Sequence, residues 1–548
     1  MNRIILLLVL TLNFSTSYPQ KLKRNDRKIV ESLEKNIAYL ADDRLEGRRA
    51  GTEGEKAAYE FIISQFKAAR IPAKGTDGYL QQFEINDGKK INNTTFFKVD
   101  GKAMQVGKDF FPLAFSASME VAETPVAISL SESGVPWFKD IDIVLDENEH
   151  NPHFDIYEYI RKEAVIAKEK GATALVIFNN ENKEDNIRFN GKDKSETAPI
   201  PVLYLTREGK AAYLKEAASL YDIGIKVALG EARRTGHNVI GYIDNKASST
   251  IVIGAHYDHL GYGEDGNSML REGAKQVHNG ADDNASGTAA LIELGKILVK
   301  SKKARGNNYL LIAFSGEELG LLGSKYFSEH PTVDLSAVNY MINMDMVGRI
   351  DDKNTVTIGG YGTSPTWGEV VHAQSKVPFT IKVDSSGTGP SDHTSFYRKN
   401  IPVLFFFTGT HSDYHKPSDD ADKINYTGTL YIVRYINTLI ESVNKKGKLQ
   451  FTPTREVQTG GRTSFSVTLG IMPDYSYSGA GVKADGVSDG RPAKKAGIRQ
   501  GDVITRLGDF AITSMETYMQ ALNKFKKGDK TKVVVKRGSE ELSFDISF

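Results

Sequence analysis

Residue types that bind metal ions stand at the ends of five apolar segments in the middle of the sequence. They are His256, Asp282, the adjacent pair Glu317 and Glu318, Asp345 and His415. A lone histidine or aspartate after a strand is usually a satisfied polar group, but so many in this order predict that a metal centre gathers them. Imidazole nitrogens and carboxylate oxygens without thiolates suit Zn²⁺, which Co²⁺ or Mn²⁺ could replace.

The elements that must position these residues alternate between strand-like and helix-like segments from His237 to Val443. The alternation predicts an α/β fold with a central mixed, mostly parallel sheet flanked by helices. Ligands bind such sheets beyond the carboxyl ends of the strands, where all the candidate residues lie. His256 ends the apolar run TIVIGA, and Asp258 shares its face if the chain stays extended. Asp258 can then accept the hydrogen bond of the imidazole nitrogen that binds no metal.

Two further segments also place carboxylates at the end of a predicted strand or the start of a predicted helix. The segment GADDNASG places Asp282 immediately before a predicted helix that runs from about Ala285 to Val299. The pair Glu317 and Glu318 follows a predicted strand that ends at Phe314. Adjacent side chains diverge, so one glutamate can hold metal while its neighbour stays free to move protons.

Other signals near these segments are weaker. His259 and His278 are predicted to be packing or surface residues, or to line the mouth of the site, rather than to bind metal. Gly261 to Gly266 fit the pattern GxGxxG, but an irregular acidic segment follows instead of a helix, which argues against a dinucleotide site. This segment is predicted to be a flexible loop.

The catalytic segments resemble a known family, the co-catalytic zinc exopeptidases typified by bacterial leucyl aminopeptidase and glutamate carboxypeptidase. The resemblance covers about His237 to Tyr426 and the earlier segment Asp43 to Ile62, and its motifs here are HxD, GADDNASG, SGEE, NMD and YHKPSD. It implies one zinc on His256 and Asp345, a second on Glu318 and His415, and Asp282 as the bridge between them. It also implies a cis peptide bond after the bridging residue, between Asp282 and Asp283. His415 is preferred to His411 as the last ligand because the family has an aspartate a few residues later, as YHKPSDD has.

The resemblance also implies roles for residues that do not bind metal. Glu317 would be the catalytic acid/base, taking a proton from the attacking water and delivering it to the departing amine. Asp258 would lie behind His256. Two Zn²⁺ ions carry four positive charges and the three carboxylate ligands three negative ones, so a site of about +1 favours hydroxide over water. Ser391, Asp392 and His393 match a family block near the substrate pocket and are expected to contact substrate or support the ligands.

These implications together predict an enzyme with two zinc ions per chain that hydrolyses peptides, and the pattern of residues 1–17 predicts that it is exported. An aminopeptidase that releases N-terminal residues is the preferred form. A carboxypeptidase or dipeptidase of the same clan stays open, and so does a glutaminyl cyclase, which should need only Asp282, Glu318 and His415. A non-catalytic, receptor-like binding protein on the same fold is a further alternative, although such relatives lose ligands that are all present here.

The remaining segments predict further domains. Residues 1–17 have the basic, apolar and small-residue pattern of a signal peptide, which predicts a periplasmic or secreted protein. The peptidase domain is predicted at residues 18–112 and 236–446, interrupted at 113–235 by a β-rich insertion that resembles a protease-associated domain. A polar linker at 447–463 precedes residues 464–548, which resemble a PDZ domain and predict binding of a peptide C-terminus.

Composition excludes several other classes of protein. The 70 Lys and Arg residues balance the 69 Asp and Glu residues, so no net field attracts nucleic acid or anionic membranes. The sequence contains no cysteine, which excludes disulfides and thiolate-bound metals. The mature chain has no predicted membrane span.

Overall fold

The computed structural model describes most of the chain. The described residues are 22–149, 154–180, 185–193, 195–270, 275–350, 354–373, 377–454, 467–473, 477, 479–487, 491–513, 515–522, 524–526 and 528–548. The predicted signal peptide and residues 455–463 of the predicted linker lie outside them. Among the helices of the described residues, none combines the length and the apolar character needed to cross a membrane.

An eight-stranded mixed sheet lies at the centre of the catalytic part of the chain. Its strands are, in spatial order, Leu80–Ile91, Leu229–Ile243, Asn308–Phe314, Thr250–His256, Val338–Met344, Val403–Phe407, Thr355–Gly359 and Thr380–Val383. Four of the seven neighbouring pairs are parallel, including all those in the middle of the sheet. The predicted α/β fold with a mixed, mostly parallel sheet is confirmed.

Helices cover both faces of this sheet. Helices Arg24–Leu40, Glu53–Ala68, Gly287–Lys300, Pro365–Val370 and Tyr426–Val443 lie on one face, and Leu322–Glu329 and His393–Tyr397 lie on the other. Alternate residues of the central strand face the two layers, so Ile251 and Ile253 join one apolar cluster and Val252 joins the other. Residues 251–255 of this strand are all apolar, as is typical of a strand that is buried on both faces.

A buried carboxylate attaches the N-terminal helices to the sheet. Glu55, in the first turn of helix Glu53–Ala68, is 1% exposed. Its oxygens accept hydrogen bonds from the N–H of Gly51 at 2.9 Å, the N–H of His237 at 3.0 Å and the hydroxyl of Ser315 at 2.5 Å. The segment GRRAGTEGE is thereby fixed against strand Leu229–Ile243 and against the end of strand Asn308–Phe314.

A separate unit is inserted between the first two strands of the central sheet. It contains two four-stranded sheets. Their strands are Lys102–Ala103, Phe96–Val99, Leu220–Lys226 and Glu120–Ala127 in one, and Phe110–Pro112, Val202–Leu205, Leu175–Phe178 and Trp137–Asp140 in the other. Helices Asp142–Glu147, Ile156–Glu169 and Arg207–Tyr213 accompany them. The unit thus begins near Phe96 rather than at residue 113, because the strands before 113 pair within it. Its likeness to a protease-associated domain stays a prediction.

The start of the predicted linker belongs to the catalytic domain. Leu449 is buried in its main core, and the Leu449 N–H donates to Asn339 Oδ1 at 2.8 Å. The N–H of Thr452 donates to the carbonyl of Thr363 at 2.8 Å. The packed part of this segment therefore extends to residue 454, beyond the predicted boundary at 446.

The C-terminal part of the chain forms a small β unit of its own. Its strands are Ile471–Pro473, Val482–Val487, Val503–Leu507, Phe510–Ala511, Lys530–Arg537 and Glu540–Ser547, with helices Pro492–Ala496 and Met515–Leu522. A separate apolar cluster around Leu469, Ile504, Val533 and Val535 forms its core.

Asp502 anchors this unit, and its replacement by asparagine tests the anchor. Asp502 is 1% exposed and accepts two hydrogen bonds from Arg537, both at 2.7 Å, and one from the N–H of Arg499 at 2.9 Å. Asp502→Asn should lower the local free energy of unfolding by about 1 to 3 kcal/mol, because the charge-assisted pair is lost. Hydrogen exchange should become faster in strands Val503–Leu507 and Lys530–Arg537. The exposed Asp509→Asn serves as control, and equal exchange in the two variants would contradict the expectation.

Candidate metal centre

The first group of candidate ligands forms at the ends of adjacent parallel strands. His256 is the last residue of its strand, and Asp345 directly follows strand Val338–Met344 beside it. His256 Nε2 lies 3.3 Å from Asp345 Oδ1 and 3.3 Å from Asp283 Oδ1. Parallel pairing brings the two strand ends to the same edge of the sheet, as the sequence predicted.

The second group forms around Glu318 and His415. His415 Nε2 lies 3.2 Å from Glu318 Oε2 and 3.3 Å from Asp283 Oδ2. Glu318 follows strand Asn308–Phe314, and His415 lies in the loop after strand Val403–Phe407. The structure thus places His415, and not His411, beside Glu318.

Asp283 is the carboxylate that the two groups share, so the placement of Asp282 as the bridge is corrected. One Asp283 oxygen faces His256 and the other faces His415. The Asp282 carboxylate turns the opposite way, where Oδ1 accepts hydrogen bonds from the N–H of Gly348 at 2.6 Å and the hydroxyl of Ser286 at 3.0 Å. The predicted position of the cis peptide bond is also wrong, since the cis bond joins Asp283 and Asn284.

Asp282 instead connects two loops of the site. Besides holding Gly348, its Oδ2 lies 3.2 Å from His411 Nε2. Nδ1 of His411 accepts a hydrogen bond from the N–H of Asp413 at 3.3 Å, which leaves the proton of the neutral ring on Nε2. Asp282 therefore connects the loop after Asp345 with the loop that carries His415.

The donor atoms of this centre fit bound cations. Nδ1 of His256 lies 3.2 Å from the carbonyl of Asp258, and Nδ1 of His415 lies 2.9 Å from the carbonyl of Asn267. A carbonyl oxygen only accepts hydrogen bonds, so Nδ1 of each histidine carries a proton. In a neutral ring, Nε2 then has a lone pair, and this lone pair faces the carboxylates. The lone pair and the carboxylate oxygens repel each other unless a proton or a metal ion lies between them. Donor atoms of His256, Asp283 and Asp345, and of His259, Asp283 and Glu318, lie within 4.8 Å of one another in each group.

The charges of the site also fit bound cations. Burial would lower the pKa of His415, but the carboxylates of Glu318 and Asp283 raise it to about 11. Burial would raise the pKa of Asp283, but hydrogen bonds to His256 and His415 hold it well below its usual range. In the absence of metal, protons on the imidazoles thus balance the carboxylates, and bound dications would replace them.

His259 has a different role from the one predicted. It is 2% exposed, and its Nδ1 lies 2.7 Å from Glu318 Oε1. His259 also lies within 4.8 Å of Asp283, but its one short contact is with Glu318. His415 Nε2 lies within 3.3 Å of both carboxylates, so the geometry favours His415 as the ligand and His259 as the partner that orients Glu318. The motif HYDH, in which His259 follows His256 by three residues, was the signal for this role in the sequence.

Glu317 and Asp258 lie together beside the first group. The N–H of Glu317 donates to Asp258 Oδ1 at 3.2 Å, and the same oxygen lies 3.7 Å from His256 Nδ1. Burial raises the pKa of Glu317 well above its usual range; the opposing charge of His256 does not cancel this effect, and Asp345 adds to it. Glu317 is therefore suited to holding a proton, and Asp258 fixes its backbone relative to His256.

Two buried charged residues that the sequence did not single out position the shared aspartate. Asp419 Oδ2 accepts hydrogen bonds from the N–H groups of Asp282 and Asp283, both at 3.0 Å. Arg48 is fully buried and donates to the carbonyls of Tyr257 at 2.7 Å and Gly280 at 3.0 Å. Both residues lie in segments that carry the family resemblance, YHKPSDD and DRLEGRRAG, which was the signal for them.

Ser391, Asp392 and His393 are buried behind the site. Ser391 Oγ accepts a hydrogen bond from Asn343 Nδ2 at 2.8 Å, and the His393 ring stacks on Phe405 with 4.4 Å between centroids. Burial raises the pKa of Asp392 to about 7 and lowers that of His393 to about 3. Contact of these residues with substrate stays a prediction.

Two protein-family models match parts of this chain. Residues 238–440 match the model of peptidase family M28, and residues 467–548 match the model of the PDZ domain. The chain carries a peptidase family M28 domain and a C-terminal PDZ domain. The M28 domain contains every residue of the two ligand groups.

Curated relatives extend the likeness beyond the M28 domain. Aminopeptidase YwaD of Bacillus subtilis is 26% identical over 395 residues, which cover 69% of this chain and 77% of the relative. Leucine aminopeptidase 2 of Trichophyton rubrum is 25% identical over 495 residues, covering 83% of this chain and 89% of the relative.

Two solved structures are similar as well. An aminopeptidase from Aneurinibacillus sp. strain AM-1 is 21% identical with a TM-score of 0.41, covering 80% of this chain and 100% of that one. BSAP, a zinc aminopeptidase from Bacillus subtilis, is 20% identical with a TM-score of 0.42, covering 77% of this chain and 95% of that one.

Proposed function

We propose that the M28 domain is a zinc-dependent aminopeptidase that releases residues from the free N-terminus of peptides. The observation that carries the proposal is the position of Asp283, whose two oxygens face His256 and His415 in two separate groups of ligand atoms. The two relatives named as aminopeptidases, which this chain matches over most of its length, support the choice of substrate.

The residues divide between two zinc ions. His256 and Asp345 would hold one ion, Glu318 and His415 would hold the other, and Asp283 would bridge them. Bound zinc supplies a Lewis acid for the scissile carbonyl and lowers the pKa of water, so that a nucleophile forms at neutral pH. Ligands of nitrogen and oxygen also accept Co²⁺ or Mn²⁺.

The protein side chains move the proton and keep the ligands in place. Glu317 would accept a proton from the attacking water and return it to the departing amine, since its pKa is raised well above that of an exposed glutamate. Asp258 holds the backbone N–H of Glu317 and lies behind His256. His259 restrains the carboxylate of Glu318 through the contact between His259 Nδ1 and Glu318 Oε1.

The regions outside the catalytic domain extend the proposal. The pattern of residues 1–17 supports export. The PDZ domain supports binding of a peptide C-terminus, added as a strand beside the loop before Ile471–Pro473.

A panel of peptides tests the activity. The wild-type protein loaded with zinc should cleave amino-acyl anilides and peptides that carry a free α-amine, whether their C-terminus is free or blocked. N-acetylated versions of the same peptides are the matched controls and should be resistant, and removal of zinc with a chelator should abolish cleavage. Equal cleavage of N-acetylated peptides from the carboxyl end would show a carboxypeptidase, and ammonia release from N-terminal glutamine without cleavage would show a cyclase.

A further inference from the structure

A group of charged side chains outside the ligand groups connects the inserted unit to the catalytic domain. We call it the ionic clasp; its members are Arg49, Asp87, Lys192, Arg234 and Asp265. Asp265 is the centre, with a side chain 7% exposed, and Arg49 binds it through two hydrogen bonds of 2.7 and 2.9 Å. Lys192 also donates to Asp265, and Arg234 Nη2 lies 3.3 Å from it.

The five members of the clasp come from five separate parts of the sequence. Arg49 belongs to the segment GRRAG, and Arg234 belongs to strand Leu229–Ile243. Asp87 lies in the irregular part of strand Leu80–Ile91, where the pairing register shifts between Asn86 and Lys89. The irregularity lets Asp87 approach Arg234 at 3.0 Å and Arg49 at 3.3 Å.

Lys192 is the contribution of the inserted unit. It lies beside Gly191, whose carbonyl accepts a hydrogen bond from the N–H of Lys89 at 2.7 Å. Lys192 Nζ also donates to the carbonyl of Glu264 at 3.2 Å. The turn around Lys192 therefore rests on both the edge strand of the central sheet and the segment that contains Asp265.

That segment, residues 262–270, continues from the clasp to the second ligand group; we call it the rim loop. The carbonyl of Asn267 lies 2.9 Å from Nδ1 of His415, and Asn267 Nδ2 donates to the carbonyl of Glu318 at 3.3 Å. The N–H of Met269 donates to the carbonyl of His415 at 2.9 Å. Within the described residues, the rim loop makes no hydrogen bond to His256 or Asp345.

We propose that Asp265 is a positioning residue for the second metal only, and that the inserted unit takes part in this through Lys192. Asp265 fixes the rim loop, and the rim loop fixes the ring of His415 and the backbone of Glu318. Without the clasp, the rim loop would lose an attachment two residues before Asn267 and would keep the contact of 2.7 Å between Ser268 Oγ and His278 Nε2. The inference rests on the proposed dizinc site, and it gives the insertion a role in metal binding rather than in substrate choice alone.

Asp265→Asn tests the proposal by zinc titration against a chelating competitor. The wild type should bind two zinc ions, and the variant should bind one of them about tenfold more weakly, the low end of the range for a lost partner of a metal ligand, because Asp265 acts through the rim loop. Introducing Asp265→Asn into a His415→Ala background decides which site responds. There the remaining zinc should bind equally with and without Asp265→Asn, because the second site is already gone.

Lys192 is tested separately, since its removal leaves the buried arginine pairs intact. Lys192→Met should weaken the same zinc by about two- to fivefold, because Lys192 is partly exposed, and Lys192→Arg should restore it. Lys226→Met is the matched control: Lys226 also lies in the inserted unit and pairs with Glu120 at 2.7 Å, and neither residue belongs to the clasp. It should leave both zinc affinities unchanged.

The outcomes separate this inference from the proposed function. A wild type that binds no zinc would overturn the proposed function and the inference with it. Two zinc ions in the wild type, with Asp265→Asn weakening both equally or neither, would overturn the inference alone. If Asp265→Asn does not fold, Lys192→Met and its rescue by arginine decide: an unchanged second zinc in Lys192→Met overturns the role of the inserted unit.

Discussion

Glu317→Gln should lower kcat/KM for an amino-acyl anilide by about 10²- to 10⁴-fold, the range for removal of a general acid/base. The amide has nearly the same shape as the carboxylate but cannot accept a proton at neutral pH. Glu317 belongs to neither ligand group, so zinc content should stay at about two per chain. Steady-state kinetics and metal analysis on the same sample check both parts.

The control for this substitution is Glu329→Gln, an exposed glutamate at the end of helix Leu322–Glu329. It should leave kcat/KM unchanged. Loss of zinc together with activity in Glu317→Gln would mean that Glu317 is a ligand and that the proton is moved by another group. Retained activity with full zinc would remove Glu317 from the mechanism.

Asp283→Asn should lower the zinc content from about two per chain towards zero and abolish peptidase activity. The side chain is shared by both groups, so removing its charge weakens both sites at once. Asp282→Asn is the matched control, because it has the same change of side chain at the adjacent position. It should retain zinc, since Oδ1 can still accept from Gly348 and Ser286.

The two variants distinguish Asp283 as the bridging residue, which the geometry indicates, from Asp282, which the family resemblance implies. Zinc lost from Asp282→Asn and kept in Asp283→Asn would show that Asp282, and not Asp283, is the bridge. Equilibrium dialysis with metal analysis measures the content, and circular dichroism confirms that both variants fold. A stability loss in Asp282→Asn is expected, because an amide would face His411 Nε2 in place of Asp282 Oδ2.

The proximity of His256 and Asp345 could be predicted from the sequence. Each follows a run of buried residues that is long enough for a strand, and parallel strands in one sheet end at the same edge. The adjacent glutamates after strand Asn308–Phe314 were predictable for the same reason. Motif spacing then added His415, which is separated from the others by a loop.

The choice between Asp282 and Asp283 could not be predicted in this way. Neighbouring side chains at a strand-to-helix connection point in different directions, and the local backbone determines which one faces the metals. Asp419, more than a hundred residues away, holds the N–H groups of both aspartates and fixes that backbone. The roles of His259 and Arg48 were hidden similarly, because both act through atoms of other segments.

The sequence by itself determined the α/β fold, the likenesses to zinc exopeptidases and to a PDZ domain, and which residue types could bind zinc, because these depend on local periodicity and on motifs within short segments. Only the tertiary structure decided that Asp283 is shared, that the insertion begins near Phe96, and that Lys192 meets Asp265. Those facts depend on contacts between segments far apart in the chain, and residue spacing along a sequence carries no direct measure of such distances.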